Sequence, residues 1–299
     1  MTNLAGTTIG VIGLGLMGRP MARNLMKAGA KLVIHNRSQG VVEDLAREGM
    51  TPARTPRELA EKTDVVICML SDTPALETVL SGTDGVFQAP VQGKLIVDMG
   101  TSKLLVTRML AAKAQEKGAD YLDAPVSGGT LGAEAGNLTI MAGGSDSAFE
   151  RALPVLRVLG AKITHVGPTG AGQVAKAANQ VIVGLNIGAV AEALSLAQAA
   201  GVDPGKVREA LGGGFADSRI LEVHGLRMVE GKFTPGARCP IQRKDMDQAL
   251  ELAEHLGIEL PATALSRDLY DRVIAAGDGD LDHSGLIRAI RPDWPVNER

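Results

Sequence analysis

Aromatic side chains are scarce in this chain of 299 residues, which has one Trp, two Tyr and four Phe. Ala, Val, Leu, Ile and Met must therefore fill its interior, and the abundant Gly and Ala permit close backbone packing. Cysteine is nearly absent too. Cys68 and Cys239 are far apart and form no CxxC pair, a usage that fits a reducing cytoplasm. The five histidines (His35, His165, His224, His255, His283) show no metal-ligand spacing, so no protein-ligated metal is expected. No basic stripe is visible, and the formal net charge is −3. Both argue against a nucleic-acid partner, although a small anionic substrate remains compatible with them. The opening MTNLAGTTIGVIG lacks a basic stretch followed by an apolar one and does not read as a signal peptide. The most apolar run, Val181 to Ala200, carries Asn186, Glu192 and Gln198. Such groups are costly in lipid, so the run reads as a buried helix of a soluble protein rather than a membrane span.

What the chain does have is alternation. Short apolar runs at Thr8–Ile12, Lys31–His35, Val65–Leu70, Leu95–Met99, Ala119–Asp123, Leu138–Ala142 and Lys162–Val166 are separated by helical patterns such as Met17–Ala28, Gln39–Glu48, Pro56–Lys62 and Ser102–Lys117. This predicts βαβ units and a parallel sheet with helices on both faces. After Gly167-Pro168 the alternation stops. A long helical pattern runs from about Ala171 to Ala200, and helical patterns follow at Pro204–Leu211, Asp217–Met228, Ile241–His255 and Pro261–Ala276. The expected fold class is α/β: a doubly wound Rossmann sheet over residues 1–166, then an all-α domain over 167–299, with the long helix beginning at their junction.

Gly13-Leu14-Gly15-Leu16-Met17-Gly18 is a GxGxxG that follows a strand and opens a helix. Gly13 would make the tight turn, Gly15 would let a pyrophosphate approach, and Gly18 would let the helix pack on the strand. Leu14 and Met17 belong to the same candidate cofactor loop. Where a dinucleotide site commonly ends its second strand in Asp or Glu, this chain has Asn36-Arg37-Ser38. A carboxylate would repel a 2′-phosphate, whereas Arg37 can pair with one, so NADP is expected in preference to NAD. Met69 and Leu70 end the next strand and are candidates to line the cofactor channel; simple core packing is the competing reading.

Lys176 is the candidate proton donor. It lies in the first turns of an Ala-, Val- and Gly-rich helix, with Asn179 and Gln180 at +3 and +4, on one helical face. Apolar surroundings favour the neutral amine, which suits proton exchange near neutral pH, while its charge would stabilise a developing alkoxide. A lysine that merely runs its stem along an amphipathic helix is the plainer alternative. Ser127-Gly128-Gly129 offers backbone N–H groups and a hydroxyl to a carboxylate, though it could equally be an ordinary loop.

Four ordered motifs carry a resemblance. They are Gly13-Leu-Gly-Leu-Met-Gly-Arg-Pro-Met-Ala-Arg-Asn-Leu25, Asp123-Ala-Pro-Val-Ser-Gly-Gly129, Gly170-Ala-Gly-Gln-Val-Ala-Lys176-Ala-Ala-Asn-Gln180 and Lys244-Asp245. Together they resemble the β-hydroxyacid dehydrogenase family, the 3-hydroxyisobutyrate dehydrogenase-like proteins, over nearly the whole chain. Asn179–Ile187, Glu192–Leu196 and Asp282-His-Ser284 are similar to the branch that reduces tartronate semialdehyde. The resemblance implies that Lys176 is catalytic, that Ser127, Gly128 and Gly129 hold substrate, and that Thr101 lies beside the nicotinamide and the substrate. It further implies that Lys244 reaches towards the nicotinamide and that Asp245 supports the site. Gly100 stands where a small hydroxyl is usual. Either Asn179 or Gln180 would contact the substrate, because relatives often carry asparagine at the latter position. Phe215, Ser218 and His283 are weaker candidates for the substrate pocket, and nothing in the sequence around His283 orients it as an acid.

The implied activity is NAD(P)-dependent reduction of a short semialdehyde acid, tartronate semialdehyde to glycerate first. Turnover of 3-hydroxyisobutyrate, threonate, or succinic or glyoxylic semialdehyde-type substrates, and a catalytically silent dinucleotide-binding scaffold, are the alternatives. A cytoplasmic homodimer or homotetramer built through the C-terminal helices is expected, since the apolar helix exceeds what a small helical domain can cover.

Overall fold

The computed structural model describes residues 2–297. Two compact units divide the chain, Met1–Lys176 and Ala177–Arg299. The division falls inside the long helix, beyond the change of texture after residue 166.

In the first unit the chain alternates strand and helix: β1 (Thr8–Ile12), α1 (Gly18–Lys27), β2 (Lys31–His35), α2 (Gln39–Arg47), β3 (Thr51–Pro52), α3 (Pro56–Glu61), β4 (Val65–Cys68), α4 (Thr73–Ser81), β5 (Leu95–Asp98), α5 (Leu104–Glu116) and β6 (Asp120–Asp123). The strands β4 (VVIC) and β5 (LIVD) are buried throughout, as strands covered on both faces must be. Thr55 and Asp72 cap α3 and α4 by accepting from the backbone N–H groups of Glu58 and Ala75, so short polar residues mark where helices start. Strands β3-β2-β1-β4-β5-β6 are adjacent in that order and all parallel. This is the 3-2-1-4-5-6 order of a doubly wound dinucleotide-binding sheet, whose crevice opens beyond the carboxyl ends of β1 and β4.

The sheet continues through β7 (Val126–Ser127), α6 (Gly129–Ala135), β8 (Leu138–Gly143), α7 (Asp146–Leu159) and β9 (Gly160–Gly167). Here the sheet departs from parallel, because β8 runs antiparallel to both β6 and β7. Residues 128–137 link β7 to β8, and that is fewer than the dozen or so a parallel crossover needs. β3, β7 and α6 lie outside the apolar runs and helical patterns legible in the sequence. Two-residue strands and a seven-residue helix of Gly, Ala and Thr carry too little periodicity to be read.

The long helix α8 (Ala171–Ala199) contributes its first six residues to the first unit. Among the described residues the second unit is otherwise helical: α9 (Pro204–Leu211), α10 (Arg219–Glu230), α11 (Cys239–His255), α12 (Pro261–Ala275), a 3-10 turn at His283–Leu286 and α13 (Ile287–Ile290). Its core gathers Ile187, Ala191, Leu194, Leu221, Met228, Phe233, Tyr270, Val273, Leu286 and Trp294. Three of the few aromatic rings are spent there, and the Trp294 indole N–H donates to the Met228 carbonyl at 2.7 Å. α8 is long and apolar enough to cross a membrane by length and composition, but half of its apolar window is buried. With Ile187, Ala191 and Leu194 in the core, it is a core helix.

Candidate active site

The glycine loop comes first. Gly13 has φ +94°, and a Cβ there would lie 2.2 Å from the Met69 carbonyl oxygen, so the turn and the approach to β4 both require glycine. A Cβ on Gly18 would lie 1.9 Å from the Gly13 oxygen, which is why α1 can begin directly against the turn. Gly15 differs: a Cβ there would meet nothing within 4 Å. It borders open space at the helix start, the cradle a pyrophosphate needs. The residues present thus fit a dinucleotide.

At the end of β2, Asn36 accepts from the Leu14 backbone N–H through Oδ1 at 3.0 Å and donates to the Ser38 carbonyl at 3.1 Å. Its amide ties the glycine loop to the neighbouring strand, a role absent from the sequence reading. Arg37 is exposed and engages no other described residue. Ser38 is the exposed residue before α2, and its side chain makes no capping bond. Met17, Met69 and Leu70 are half-buried. Met17 and Met69 pack on one core cluster and Leu70 on the other, so the packing reading of Met69 and Leu70 accounts for part of their surface.

The carboxyl ends of β5 and β6 carry two buried aspartates. Asp98 Oδ1 accepts from the Gly100 backbone N–H at 3.0 Å, and Oδ2 accepts from the Ser102 hydroxyl at 2.8 Å. Asp123 accepts from the Gly170 and Gln173 backbone N–H groups at 2.7 and 3.0 Å, and so holds the start of α8. Burial pushes the Asp98 carboxyl up to about 7; the bonds from Ser102 and Gly100 pull the other way, and the charge of Asp123 adds to the rise. Burial raises Asp123 as well, opposed by the N–H groups it accepts. Burial, reinforced by Asp98, holds the Tyr121 phenol well above its ordinary value.

Lys176 is buried, and its Nζ donates to the Val126 carbonyl at 2.8 Å. Val126 immediately precedes Ser127, Gly128 and Gly129. Gly128 and Gly129 have φ +132° and +60°, so only glycine takes this turn without strain. The structure therefore brings Lys176 to the Ser127-Gly128-Gly129 segment. Thr101 is half-buried between Gly100 and Ser102, both held by Asp98.

The second unit has its own polar cluster. Gln180 Nε2 donates to Asp245 Oδ2 at 2.6 Å and to Gln242 Oε1 at 3.1 Å, and Asn179 Nδ2 donates to Gln180 Oε1 at 2.7 Å. Lys244 Nζ stands 2.8 Å from Asp245 Oδ1, while Arg243 pairs with Asp247 and Asp271. Ser218 is spent on capping α10, accepting from Leu221 N–H at 3.0 Å. Phe215 is wholly exposed. His283, which no neighbour in sequence orients, is in fact oriented: its backbone N–H donates to Ala237, and its Nε2 lies 3.3 Å from that of His224. His224 in turn faces buried Asp282, which also pairs with Arg227. Ser284 and Gly236 donate to the same carboxylate. Those donors occupy both carboxylate oxygens, so the cluster reads as a polar strut of the helical unit.

Comparison with known proteins agrees with this geometry. A family model described as the NAD binding domain of 6-phosphogluconate dehydrogenase matches residues 8–167. A second, described as the NAD-binding region of NADP-dependent 3-hydroxyisobutyrate dehydrogenase, matches residues 170–290. The chain is 47% identical over 283 residues to 2-hydroxy-3-oxopropionate reductase of Escherichia coli, covering 94% of this chain and 96% of that one. The chain belongs to the β-hydroxyacid dehydrogenase family. Among solved structures, 3-hydroxyisobutyrate dehydrogenase of Mycobacterium tuberculosis with L-serine superposes with TM-score 0.86 at 31% identity, covering 95% and 99% of the two chains. A complex of Psf3 with NADP+ and 2-OPP gives TM-score 0.86 at 26% identity, covering 94% and 99%.

Membership makes the chain an NAD(P)-binding oxidoreductase of the hydroxyacid dehydrogenase type. Within this family member, the sequence reading missed Asp98, Asp123, Gln173 and Gln242. The signals were available for three of them. Asp98 and Asp123 each end an apolar strand with a carboxylate, and Gln173 is the first long polar side chain in a glycine-rich helix start. Gln242 lies in an ordinary polar stretch and gave none.

Proposed function

We propose that this dehydrogenase reduces a short semialdehyde acid, tartronate semialdehyde to glycerate, with Lys176 as general acid and NADPH preferred over NADH. The observation that carries the reading is buried Lys176, whose Nζ donates to the Val126 carbonyl adjacent to the Ser127-Gly128-Gly129 turn. The name of the 47% identical relative supports the substrate.

Gly13, Leu14, Gly15, Met17 and Gly18 would hold the pyrophosphate. Asn36, Arg37 and Ser38 would meet the adenosine ribose, with Arg37 on a 2′-phosphate. Met69, Leu70, Thr101 and Lys244 are assigned to the rest of the cofactor. The bound nicotinamide supplies the hydride. Ser127, Gly128 and Gly129 take the substrate carboxylate by hydroxyl and backbone N–H. Thr101 and either Asn179 or Gln180 would orient the substrate's oxygens, with Asp245 in support. Lys176 places its ammonium on the aldehyde oxygen, stabilises the alkoxide as charge develops and delivers the proton. It then regains a proton from solvent, which balances the reduction of one aldehyde to one alcohol.

We further propose a homodimer or homotetramer. Ile182, Leu196, Leu256, Ile258 and Leu265 are all more than half exposed in the second unit, apolar surface that a second copy would cover. A light-scattering mass of one chain at working concentration would overturn this. The functional reading is tested by initial rates with NADPH and NADH over a panel of semialdehydes. The highest kcat/KM is expected for tartronate semialdehyde with NADPH. Cofactor binding without turnover of any acid would favour a silent scaffold instead.

A further inference from the structure

Gln173 is 3% exposed, and its side-chain amide and its backbone N–H are all used inside the first unit. Its side-chain Nε2 donates to the Gly100 carbonyl at 3.0 Å and approaches Asp98 Oδ2 at 3.5 Å. Its Oε1 accepts from the Ser102 backbone N–H at 3.0 Å. Its own backbone N–H donates to Asp123 Oδ2. One amide therefore grips the backbone on both sides of Thr101, while Asp98 holds the same two residues from below through Gly100 N–H and the Ser102 hydroxyl. Lys176 follows three residues later, one turn along the same helix.

We propose that Gln173 is a positioning residue: it locks the helix turn that carries Lys176 to the loop that carries Thr101, so that the two keep a fixed mutual geometry. No other residue type does this. Glutamate is acceptor-only when ionised and would sit beside two aspartates. Asparagine is one methylene short of bridging both partners. Leucine has the length but leaves the Gly100 carbonyl and the Ser102 N–H without a partner. There is no slack for the helix to shift instead: a Cβ on Gly172 would lie 2.4 Å from the Met141 carbonyl oxygen, and one on Gly170 would lie 2.4 Å from Leu104 Cδ1.

The inference rests on the proposed role of Lys176, so its test has two readouts. Gln173→Leu and Gln173→Glu are compared with the wild-type enzyme, the second variant covering the case in which the first fails to fold. With semialdehyde and NADPH, kcat should fall about 10- to 100-fold, with KM and cofactor Kd changing less than about threefold. Independently of any substrate, acylation of Lys176 by an amine reagent, read by peptide mass spectrometry, should accelerate about fivefold, the worth of one net hydrogen bond. Wild-type kcat together with wild-type labelling in a folded variant would overturn the inference while leaving the functional reading intact. Faster labelling in a protein that reduces no semialdehyde would uphold the inference and sink the functional reading.

Discussion

Gly18 packs so tightly on Gly13 that a Cβ on the former would stand 1.9 Å from the carbonyl oxygen of the latter. The two glycines are fixed by packing, whereas Gly15 between them borders open space. This separates structural from ligand-facing glycines within one motif. Gly13→Ala should cost about 3 kcal/mol or more, from a positive φ and a backbone collision, measured by urea unfolding. Gly15→Val should leave the unfolding midpoint nearly unchanged and weaken NADPH binding at least about tenfold. Equal cofactor affinity in Gly15→Val would remove the loop from the cofactor site.

Arg37 is exposed and engages no other described side chain, so its guanidinium is available to a 2′-phosphate. Arg37→Ala should raise the Kd for NADPH about tenfold or more, as loss of a charge-assisted bond predicts, and leave that for NADH unchanged. Equal losses for both cofactors would show that Arg37 does not read the 2′ position.

Asp98 gives a pH signature. Its folded carboxyl titrates near 7, against about 3.9 when unfolded. Between those values the native state holds a proton that the unfolded state has released, so stability falls as pH rises, by up to about 1.4 kcal/mol per unit. Asp98→Asn removes that slope. The stability difference between variant and wild type should shift in the variant's favour from pH 4 to pH 7 and level off above. A difference independent of pH would show that Asp98 is ionised throughout.

Asp282 carries the opposite sign. Burial alone would raise its carboxyl, but the His224 bond, the His283 charge, the Ser284 hydroxyl and Arg227 hold it well below the usual carboxylate range. Its contribution is therefore present above the unfolded value of about 3.9 and lost as pH falls below it. Asp282→Asn should destabilise by about 3–5 kcal/mol at pH 7, the usual cost of breaking a buried ion pair. The gap should narrow below about pH 4, as followed by denaturant unfolding at both pH values.

The units that the sequence announced were those with local signatures. Strand-helix alternation located β1, β2, β4, β5 and β6, and the glycine spacing located the turn after β1. The segment 126–143 was harder: β7 has two residues, and β8 reverses direction because its connection is short. The residues Asp98, Asp123 and Gln173 left a local trace, but the contacts that join them were invisible for a different reason. Gln173 meets residues 50 to 75 positions away in the chain, and no local pattern encodes such a contact. Lys176 was legible because it is the first charged side chain in an Ala-, Val- and Gly-rich helix, where it stands out. The carbonyl that holds it, Val126, belongs to the strand the sequence did not reveal.

The most direct test of the account is the turnover of semialdehyde acid by Lys176→Ala with saturating NADPH. Loss of the proton donor should lower kcat by about 10²- to 10⁴-fold, with the fold and the cofactor Kd preserved. A Lys176→Ala enzyme that turns over at near the wild-type rate would contradict the assignment of Lys176 as the general acid.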